Sequence, residues 1–315
     1  MQSSISDIEQ EFTTSCKLMG NSFSFTVLAA DKSFADACME KAIVEVRRIE
    51  ALFSTYQPGS QVNQVNDAAG IKAVAVDEEV YNLTERSLRI SRLTDGAFDL
   101  SYGSIDKRLW NFDQTMRSLP GREQAKKMVR LIDYRKIILD PVAKTIFLQD
   151  IGMRIGFGGI GKGYAADAAA ALLQQLGIRS GLVNASGDIK AWGAQTDGLP
   201  WKIGISHPDN RLLPLAWLSL NNNAIATSGN YEKFVCIKGK KYSHTINPIT
   251  GMPATGIKSV TVIAPNAELA DAMATPVTIM GTKAGINLLD QLPGFAGIII
   301  DDNDKIFSTK NIQLQ

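Results

Sequence analysis

Residues 241–253 combine a histidine with residues that shape the backbone. His244 is one of only two histidines in the chain, and Pro248 and Gly251 follow it within seven residues. Proline fixes φ and removes a donor, whereas glycine admits positive φ, so the stretch predicts a rigid turn. Such a turn would hold the imidazole in place, although a lone histidine in a turn is more often structural than catalytic.

An aspartate and a threonine follow at helical spacing. Residues 260–264 predict a strand, and residues 267–276 after it predict a helix that carries Asp271 and Thr275. Residues four apart share one face of a helix, and two oxygen-bearing side chains on one face can hold a hard cation. The same pair is more commonly part of a solvated face, so the spacing alone does not decide.

The third chemical feature is a glycine-rich stretch, residues 155–164, which has five glycines in ten residues. It leads into a predicted helix over residues 165–176. Free N–H groups and the helix dipole favour phosphate there, and missing Cβ atoms permit close approach. The stretch is neither a P-loop nor a dinucleotide fingerprint, because Lys162 precedes Gly163 rather than a serine or threonine. Helix–sheet packing is the alternative reason for the glycines.

Composition bounds the class of protein. The chain has 315 residues, 33 basic and 32 acidic side chains, a formal charge of +1 and a hydrophobic fraction of 45%. This length allows one large domain or two closely packed halves with a sizeable core. A charge near zero supplies no global field for nucleic acid or acidic membranes, so neither is an expected partner.

Cysteines and hydropathy restrict the compartment. Cys16, Cys38 and Cys236 form no CxxC or Cys/His cluster, which argues against a structural zinc site and for a reducing compartment. No apolar run reaches membrane-spanning length, and the polar, acidic start is unlike a signal peptide. We expect a cytoplasmic location for the chain as given, or a cell-envelope or periplasmic one if a leader was removed.

Hydrophobic periodicity predicts both helices and antiparallel strands in each half of the chain. The predicted helices span residues 34–53, 81–92, 122–129, 165–176, 267–276 and 282–289. The predicted strands span residues 23–28, 137–140, 145–148, 181–193 with a turn, 201–205, 217–220, 224–231, 234–237, 260–264, 297–301 and 305–307. Residues 54–66 predict a polar connection around Tyr56. The predicted class is therefore α+β.

The polar and glycine-rich turns together indicate a phosphate-bearing ligand, a divalent metal and a histidine base. The sequence resembles the ApbE family of FAD:protein FMN transferases over about residues 19–289. The pieces that carry the resemblance are Met19-Gly20, Thr94-Asp-Gly-Ala-Phe-Asp99, Gly158-Gly-Ile-Gly-Lys-Gly-Tyr-Ala-Ala-Asp167, Ser186-Gly-Asp188, Thr227-Ser-Gly229, His244-Thr-Ile-Asn-Pro-Ile-Thr-Gly251 and Leu269-Ala-Asp-Ala-Met-Ala-Thr275. The resemblance divides the chain into an N-terminal extension, 1–18, and a single flavin transferase domain, 19–310.

The resemblance implies an ApbE-like fold of two mixed α/β halves, similar to a T-fold, with an FAD cavity between them. It also implies that Mg²⁺ bridges the pyrophosphate of the substrate FAD. A threonine or serine hydroxyl of a target flavoprotein would attack the FMN-side phosphorus. AMP would leave, and FMN would stay on the acceptor through a phosphodiester bond.

The resemblance also implies site residues. His244 would be the general base, because an unperturbed pKa of about 6.5 suits that task. Asp271, Thr275 and the backbone carbonyl of Gly159 would hold Mg²⁺. The residues expected to contact FAD are Met19, Tyr56, Ala97, Phe98, Asp99, Lys162 and Thr245.

Two positions depart from the family pattern. Gly156 stands where family members usually carry an acidic residue, and Asn247 stands where they usually carry an aspartate. Asn247 keeps a hydrogen-bonding shape but lacks the charge. Two alternatives to transfer therefore remain open, a Mg²⁺-dependent FAD pyrophosphatase that gives FMN and AMP, and a non-catalytic FAD-binding protein.

Overall fold

An antiparallel sheet of eight strands forms the centre of the computed structural model, which describes residues 9–106, 118–207, 210–229, 234–237, 239–243 and 245–312. The strands in chain order are β1 Gln10–Leu18, β2 Asn21–Ala29, β3 Val74–Ala75, β4 Ile137–Asp140, β5 Thr145–Leu148, β6 Gly181–Ala185, β7 Asp188–Trp192, β8 Trp201–His207, β9 Asn210–Leu220, β10 Ala224–Gly229, β11 Phe234–Ile237, β12 Lys240–Ser243, β13 Ile257–Ala264, β14 Ala296–Asp301 and β15 Ile306–Ser308. The large sheet has the order β1-β2-β6-β7-β10-β13-β14-β15, and each neighbouring pair is antiparallel.

The helices are α1 Lys32–Phe53, α2 Gln61–Asp67, α3 Glu78–Leu93, α4 Arg122–Met128, α5 Gly161–Gln175, α6 Ala267–Met280 and α7 Thr282–Gln291. Of these, α1, α5, α6 and α7 contact the strands of the large sheet and cover one of its faces. Helix α1 buries Ala35, Ala42, Val46 and Ile49 at helical spacing, and its opposite face is charged. These residues pack with apolar side chains from β2, α5 and α6 in the main core. This layer fixes the N-termini of α5 and α6 beside one another.

The other face of the sheet is covered by the β8–β9 ribbon. Trp201, Ile205 and Leu220 of the ribbon pack against Leu28 and Ile189 of the sheet. A third apolar cluster joins α4 to the β11–β12 hairpin and to the turn that follows it. No helix in the described ranges is long and apolar enough to cross a membrane.

The α+β class predicted from the sequence is confirmed, and most predicted helices and strands lie within two or three residues of their predicted bounds. Within the expected N-terminal extension, 1–18, Gln10–Leu18 forms β1 and pairs with β2 along its whole length. It was not predicted as a strand because it is an edge strand with alternating exposed polar residues. The predicted polar connection over 54–66 contains α2, and α6 continues through Pro276 to Met280.

Candidate functional site

The glycine-rich stretch forms the turn that begins α5, and its glycines serve two different purposes. A Cβ added to Gly158 would meet nothing within 4 Å, and one added to Gly159 would meet only the Phe98 ring at 3.6 Å. Neither residue has the positive φ that would require glycine. The fold itself therefore gives no reason for glycine at Gly158, which is the pattern expected where a ligand approaches the backbone.

Gly163 is needed for helix packing instead. A Cβ there would lie 2.1 Å from the carbonyl oxygen of Ala267, so α5 and α6 could not approach as closely. The same approach lets Gly163 N donate to Asp271 Oδ2 at 3.2 Å. Gly163 thus serves packing between α5 and α6, and not the helix–sheet packing raised as the alternative from the sequence.

Lys162 lies between two buried carboxylates. Its Nζ donates to Asp188 Oδ2 and, at 3.3 Å, to Asp271 Oδ1. Burial raises the pKa of Asp188 to about 7, and the nearby Asp271 carboxylate adds to this while Lys162 opposes it. Burial alone would lower the pKa of Lys162, but the two carboxylates raise it above its usual range. The result is a buried cluster of one ammonium and two carboxylates at the N-terminus of α5.

Thr275 lies one turn after Asp271 on α6. It is half-buried, and its hydroxyl makes no hydrogen bond to any described residue. The nearby Thr278 hydroxyl, by contrast, donates to the carbonyl of Ala274 at 3.0 Å. A free hydroxyl and a carboxylate on one helix face are oxygen ligands of the kind that Mg²⁺ prefers. Within the described ranges, no three His, Cys, Asp or Glu side chains form a metal-binding group.

Two residues predicted to contact FAD lie against the glycine-rich turn. Met19 occupies the β1–β2 hairpin turn with a φ of 50°, and a Cβ on Gly161 would lie 3.6 Å from its Cε. Phe98 lies beside Gly159 in the same way. A positive φ at a methionine is uncommon and is often found near functional sites. The fold thus brings Met19 and Phe98, two residues predicted to contact FAD, to the glycine-rich turn.

Gly156 lies next to the loop that carries Tyr56. A Cβ on Gly156 would lie 3.4 Å from Thr55 Cγ2, so this position faces the loop that carries Tyr56. Tyr56 itself is 90% exposed. An aromatic ring that is free on all sides can stack on a flat ligand.

The Asp99 side chain is engaged inside the protein. Its Oδ1 accepts hydrogen bonds from the backbone N and Oγ of Ser101, and its Oδ2 accepts one from Tyr134 N at 2.9 Å. Burial raises the pKa of this carboxyl although these bonds oppose the shift. Ala97 is buried in the preceding turn, where its N–H donates to the Thr94 carbonyl. The structure thus gives Asp99 a local structural role that sequence reasoning did not foresee.

The turn after β12 is held by its own hydrogen bonds, although His244 lies outside the described residues. Thr245 is buried, and its carbonyl accepts a hydrogen bond from Ala254 N. Asn247 Oδ1 accepts from the backbone N–H groups of Ile249 and Thr250. Since these bonds need an acceptor and no charge, asparagine supplies what the turn requires at this position.

A further hydrogen bond ties this turn to the segment after Asp99, because Ile246 N donates to Tyr102 Oη at 3.2 Å. Gly251, with a φ of 70°, packs directly on α4, where a Cβ would lie 2.1 Å from the Ala125 carbonyl. The turn predicted from the sequence is confirmed for residues 245–253, whereas residues 241–243, which the prediction also included, belong to strand β12.

Comparison with protein families decides the relationship. The model of the ApbE family matches residues 19–299. The chain belongs to the ApbE family. Relatives called FAD:protein FMN transferase include one from Treponema pallidum (strain Nichols), 30% identical, with 88% of this chain and 80% of that protein covered. One from Escherichia coli (strain K12) is 32% identical, with 85% and 78% covered.

Solved structures of ApbE proteins have the same fold as this chain. The ApbE protein of Thermotoga maritima superimposes with a TM-score of 0.86 at 30% identity, over 96% of this chain and 97% of that one. The flavin transferase ApbE of Vibrio cholerae gives a TM-score of 0.83 at 25% identity, over 96% and 98%. The ApbE-like fold expected from the resemblance is confirmed.

In this ApbE-family chain, the structure brings Met19, Phe98, Gly159, Lys162 and Asp271 to the N-terminal end of α5. Asp188, whose carboxylate contacts Lys162, also belongs to this group, and sequence reasoning did not predict it as a site residue. Its only signal was its place in Ser186-Gly-Asp188, and nothing in the spacing from Lys162 indicates that the two side chains meet.

Proposed function

We propose that this chain is an FAD:protein FMN transferase, which moves FMN from FAD onto a threonine or serine hydroxyl of an acceptor flavoprotein. The name shared by its relatives supports the activity. The observation in the site that carries it is the open glycine turn at Gly158 and Gly159 beside the buried Lys162 cluster. A phosphate group can approach that backbone closely, and a helix N-terminus and an ammonium would receive it.

FAD would place its pyrophosphate at this turn. Lys162 and the first N–H groups of α5 would bind the phosphate oxygens, and Met19 and Phe98 would pack against the ligand. Tyr56 would stack on the flavin or the adenine. The carboxylate of Asp99 is already bonded within the protein, so its contribution to FAD binding would be to hold the backbone of residues 97–99 in place.

The oxygen donors fit Mg²⁺. Asp271 and Thr275 on one face of α6, with the Gly159 carbonyl, would hold the ion, and the Thr275 hydroxyl makes no hydrogen bond to any described residue. Mg²⁺ bound there would neutralise phosphate charge as AMP leaves.

The chain's own residues would direct the transfer as follows. His244 would accept the proton of the acceptor hydroxyl, whose oxygen then forms a bond to the FMN-side phosphorus. The bond from that phosphorus to the bridging oxygen breaks, and AMP leaves with this oxygen. FMN remains on the acceptor as a phosphodiester. Thr245 and Asn247, held in the turn, would fix the backbone that follows the base.

The test is to incubate the protein with FAD, Mg²⁺ and an acceptor that carries an exposed threonine. We expect AMP release together with an acceptor mass increased by one FMN residue. AMP with free FMN and an unmodified acceptor would instead indicate hydrolysis. FAD binding without AMP would leave only the non-catalytic alternative.

A pair of histidine variants tests the base. His244→Ala should abolish transfer, whereas His207→Ala, which changes the only other histidine of the chain, should leave it unchanged. Transfer at the wild-type rate by His244→Ala would remove His244 from this role.

A further inference from the structure

Asp188 is the least exposed member of the cluster around Lys162. The exposed fraction of its side chain is 5%, against 9% for Asp271 and 24% for Lys162. It is the first residue of β7, directly after the tight turn in which Ser186 and Gly187 both have positive φ. The Asn184 side chain accepts a hydrogen bond from Gly187 N and holds that turn. The position of the Asp188 carboxylate is therefore fixed by the sheet.

The two carboxylates around Lys162 are not equivalent. Asp271 Oδ2 accepts from Gly163 N, and its Oδ1 accepts from Lys162 Nζ at 3.3 Å. Asp271 is also a proposed ligand of Mg²⁺. A cation held by this carboxylate would repel the Lys162 ammonium that contacts it. Asp188 is the partner that Lys162 keeps in either case.

We propose that Asp188 is a positioning residue, which holds the Lys162 ammonium at the mouth of the glycine turn and away from full pairing with Asp271. This inference rests on the proposed function, because it assumes that Lys162 meets the pyrophosphate of FAD. Without Asp188, the only carboxylate left for Lys162 in the cluster is that of Asp271, and the ammonium would move towards it and away from the ligand.

A purely electrostatic effect and a positioning effect predict opposite changes in FAD affinity when Asp188 is lost. Removal of a negative charge near the site should by itself strengthen the binding of the anionic FAD. Loss of a positioning residue should weaken it, because Lys162 no longer points at the phosphates. The direction of the change in affinity therefore separates the two effects.

The experiment measures the dissociation constant of FAD by flavin fluorescence for wild type, Asp188→Asn, Lys162→Met and the double variant, each with Mg²⁺ and with EDTA. Asp188→Asn should weaken FAD binding about tenfold, and in the Lys162→Met background the same change should shift it by less than about twofold. Asp150→Asn is the matched control, because it breaks the Lys136–Asp150 pair, a 2.5 Å contact outside the cluster. It should leave FAD binding unchanged.

The double variant also covers the case in which Asp188→Asn fails to fold, because it removes the ammonium together with its closer partner. In that case, a difference in FAD affinity of more than about twofold between the double variant and Lys162→Met would overturn the inference. FAD binding that is unchanged or tighter in Asp188→Asn would overturn the inference. So would an equal loss of affinity on the Lys162→Met background, since Asp188 would then act without Lys162. A wild-type protein that binds no FAD would overturn the proposed function and this inference together, whereas the other outcomes leave the proposed function intact.

Discussion

At the scale of single residues, the Asn247 side chain has a hydrogen-bonding role in the turn that does not require a charge. Its Oδ1 accepts two backbone hydrogen bonds, from Ile249 N at 2.9 Å and from Thr250 N at 3.1 Å. Asparagine and aspartate offer the same acceptor in this geometry and differ only in charge. The lost charge is therefore no argument for a chain that binds FAD without reacting.

Substitution of Asn247 tests this reading. Asn247→Asp should leave the transfer rate within about twofold and stability nearly unchanged, because both hydrogen bonds keep an acceptor. Asn247→Ala should lower the free energy of unfolding by about 1 kcal/mol and slow transfer, because the turn beside His244 loosens. Urea unfolding and initial rates of AMP release measure the two effects. A marked gain of activity in Asn247→Asp would mean that the charge itself matters.

At the scale of elements, two glycines in one turn separate ligand binding from folding. Gly163→Ala should destabilise the protein by about 3 kcal/mol, because its Cβ would stand 2.1 Å from the Ala267 carbonyl and push α5 from α6. Gly158→Ala should keep or slightly raise stability, since the new methyl group meets open space at an ordinary φ.

For FAD affinity, we expect Gly158 to matter although it does not matter for stability. Gly158→Ala should weaken FAD binding about tenfold while the protein stays folded, because the methyl group would stand where the phosphates approach. Thermal melting and FAD titration of both variants provide the comparison. Unchanged FAD affinity in Gly158→Ala would remove this turn from the binding site.

The junction of α5 and α6 also carries a pH dependence. Asp167 of α5 accepts hydrogen bonds from the N–H groups of Ala267 and Glu268 at the start of α6. Burial raises the pKa of Asp167 from 3.8 to about 6 although these bonds oppose it. The folded state therefore binds a proton that the unfolded state releases, so this group's contribution to stability is full below pH 4 and is lost as pH rises through 6.

We expect Asp167→Asn to remove this part of the pH profile. Between pH 4 and 7, the free energy of unfolding of the wild type should fall by on the order of 2 kcal/mol more than that of the variant. Asp140→Asn is the control. Backbone N–H groups lower the pKa of Asp140 from its ordinary value of 3.8, so its effect on stability changes with pH only below about pH 4. Urea unfolding across this pH range measures both. Parallel profiles for wild type and Asp167→Asn would contradict the assignment.

What the sequence could predict at this scale follows from local physics. The long α1, the β6–β7 hairpin and the turn at 245–253 were predicted because apolar spacing, glycine and proline act within a few residues. Strand β1 was not, since one polar face of an edge strand gives a weak alternation. The Lys162–Asp188 contact was not either, because it joins α5 to β7 across 26 residues and depends on how the helix lies on the sheet.

At the scale of the whole molecule, an ion pair between described residues joins helix α3 to α6, the helix that carries the proposed metal ligands. Arg86 of α3 donates through Nε and Nη2 to both carboxylate oxygens of Glu268 on α6, at 2.6 and 2.9 Å. The partners are 182 residues apart, and the exposed fractions of their side chains are 38% and 8%. The Glu268 side chain is almost completely excluded from water, so the ion pair with Arg86 compensates for the desolvation of its carboxylate.

Arg86→Met should therefore destabilise the protein by about 2 kcal/mol, less than for a fully buried pair because Arg86 keeps some contact with solvent. Arg89→Met is the matched control one turn later on the same helix, since its partner Glu85 is 43% exposed, and it should cost about 0.5 kcal/mol or less. Addition of Glu268→Gln to Arg86→Met should restore part of the loss, because the buried charge is gone. Urea unfolding of the four proteins gives these differences. Equal effects of Arg86→Met and Arg89→Met would mean that the long-range pair adds no more than an exposed one, and that the apolar core alone holds α3 against α6.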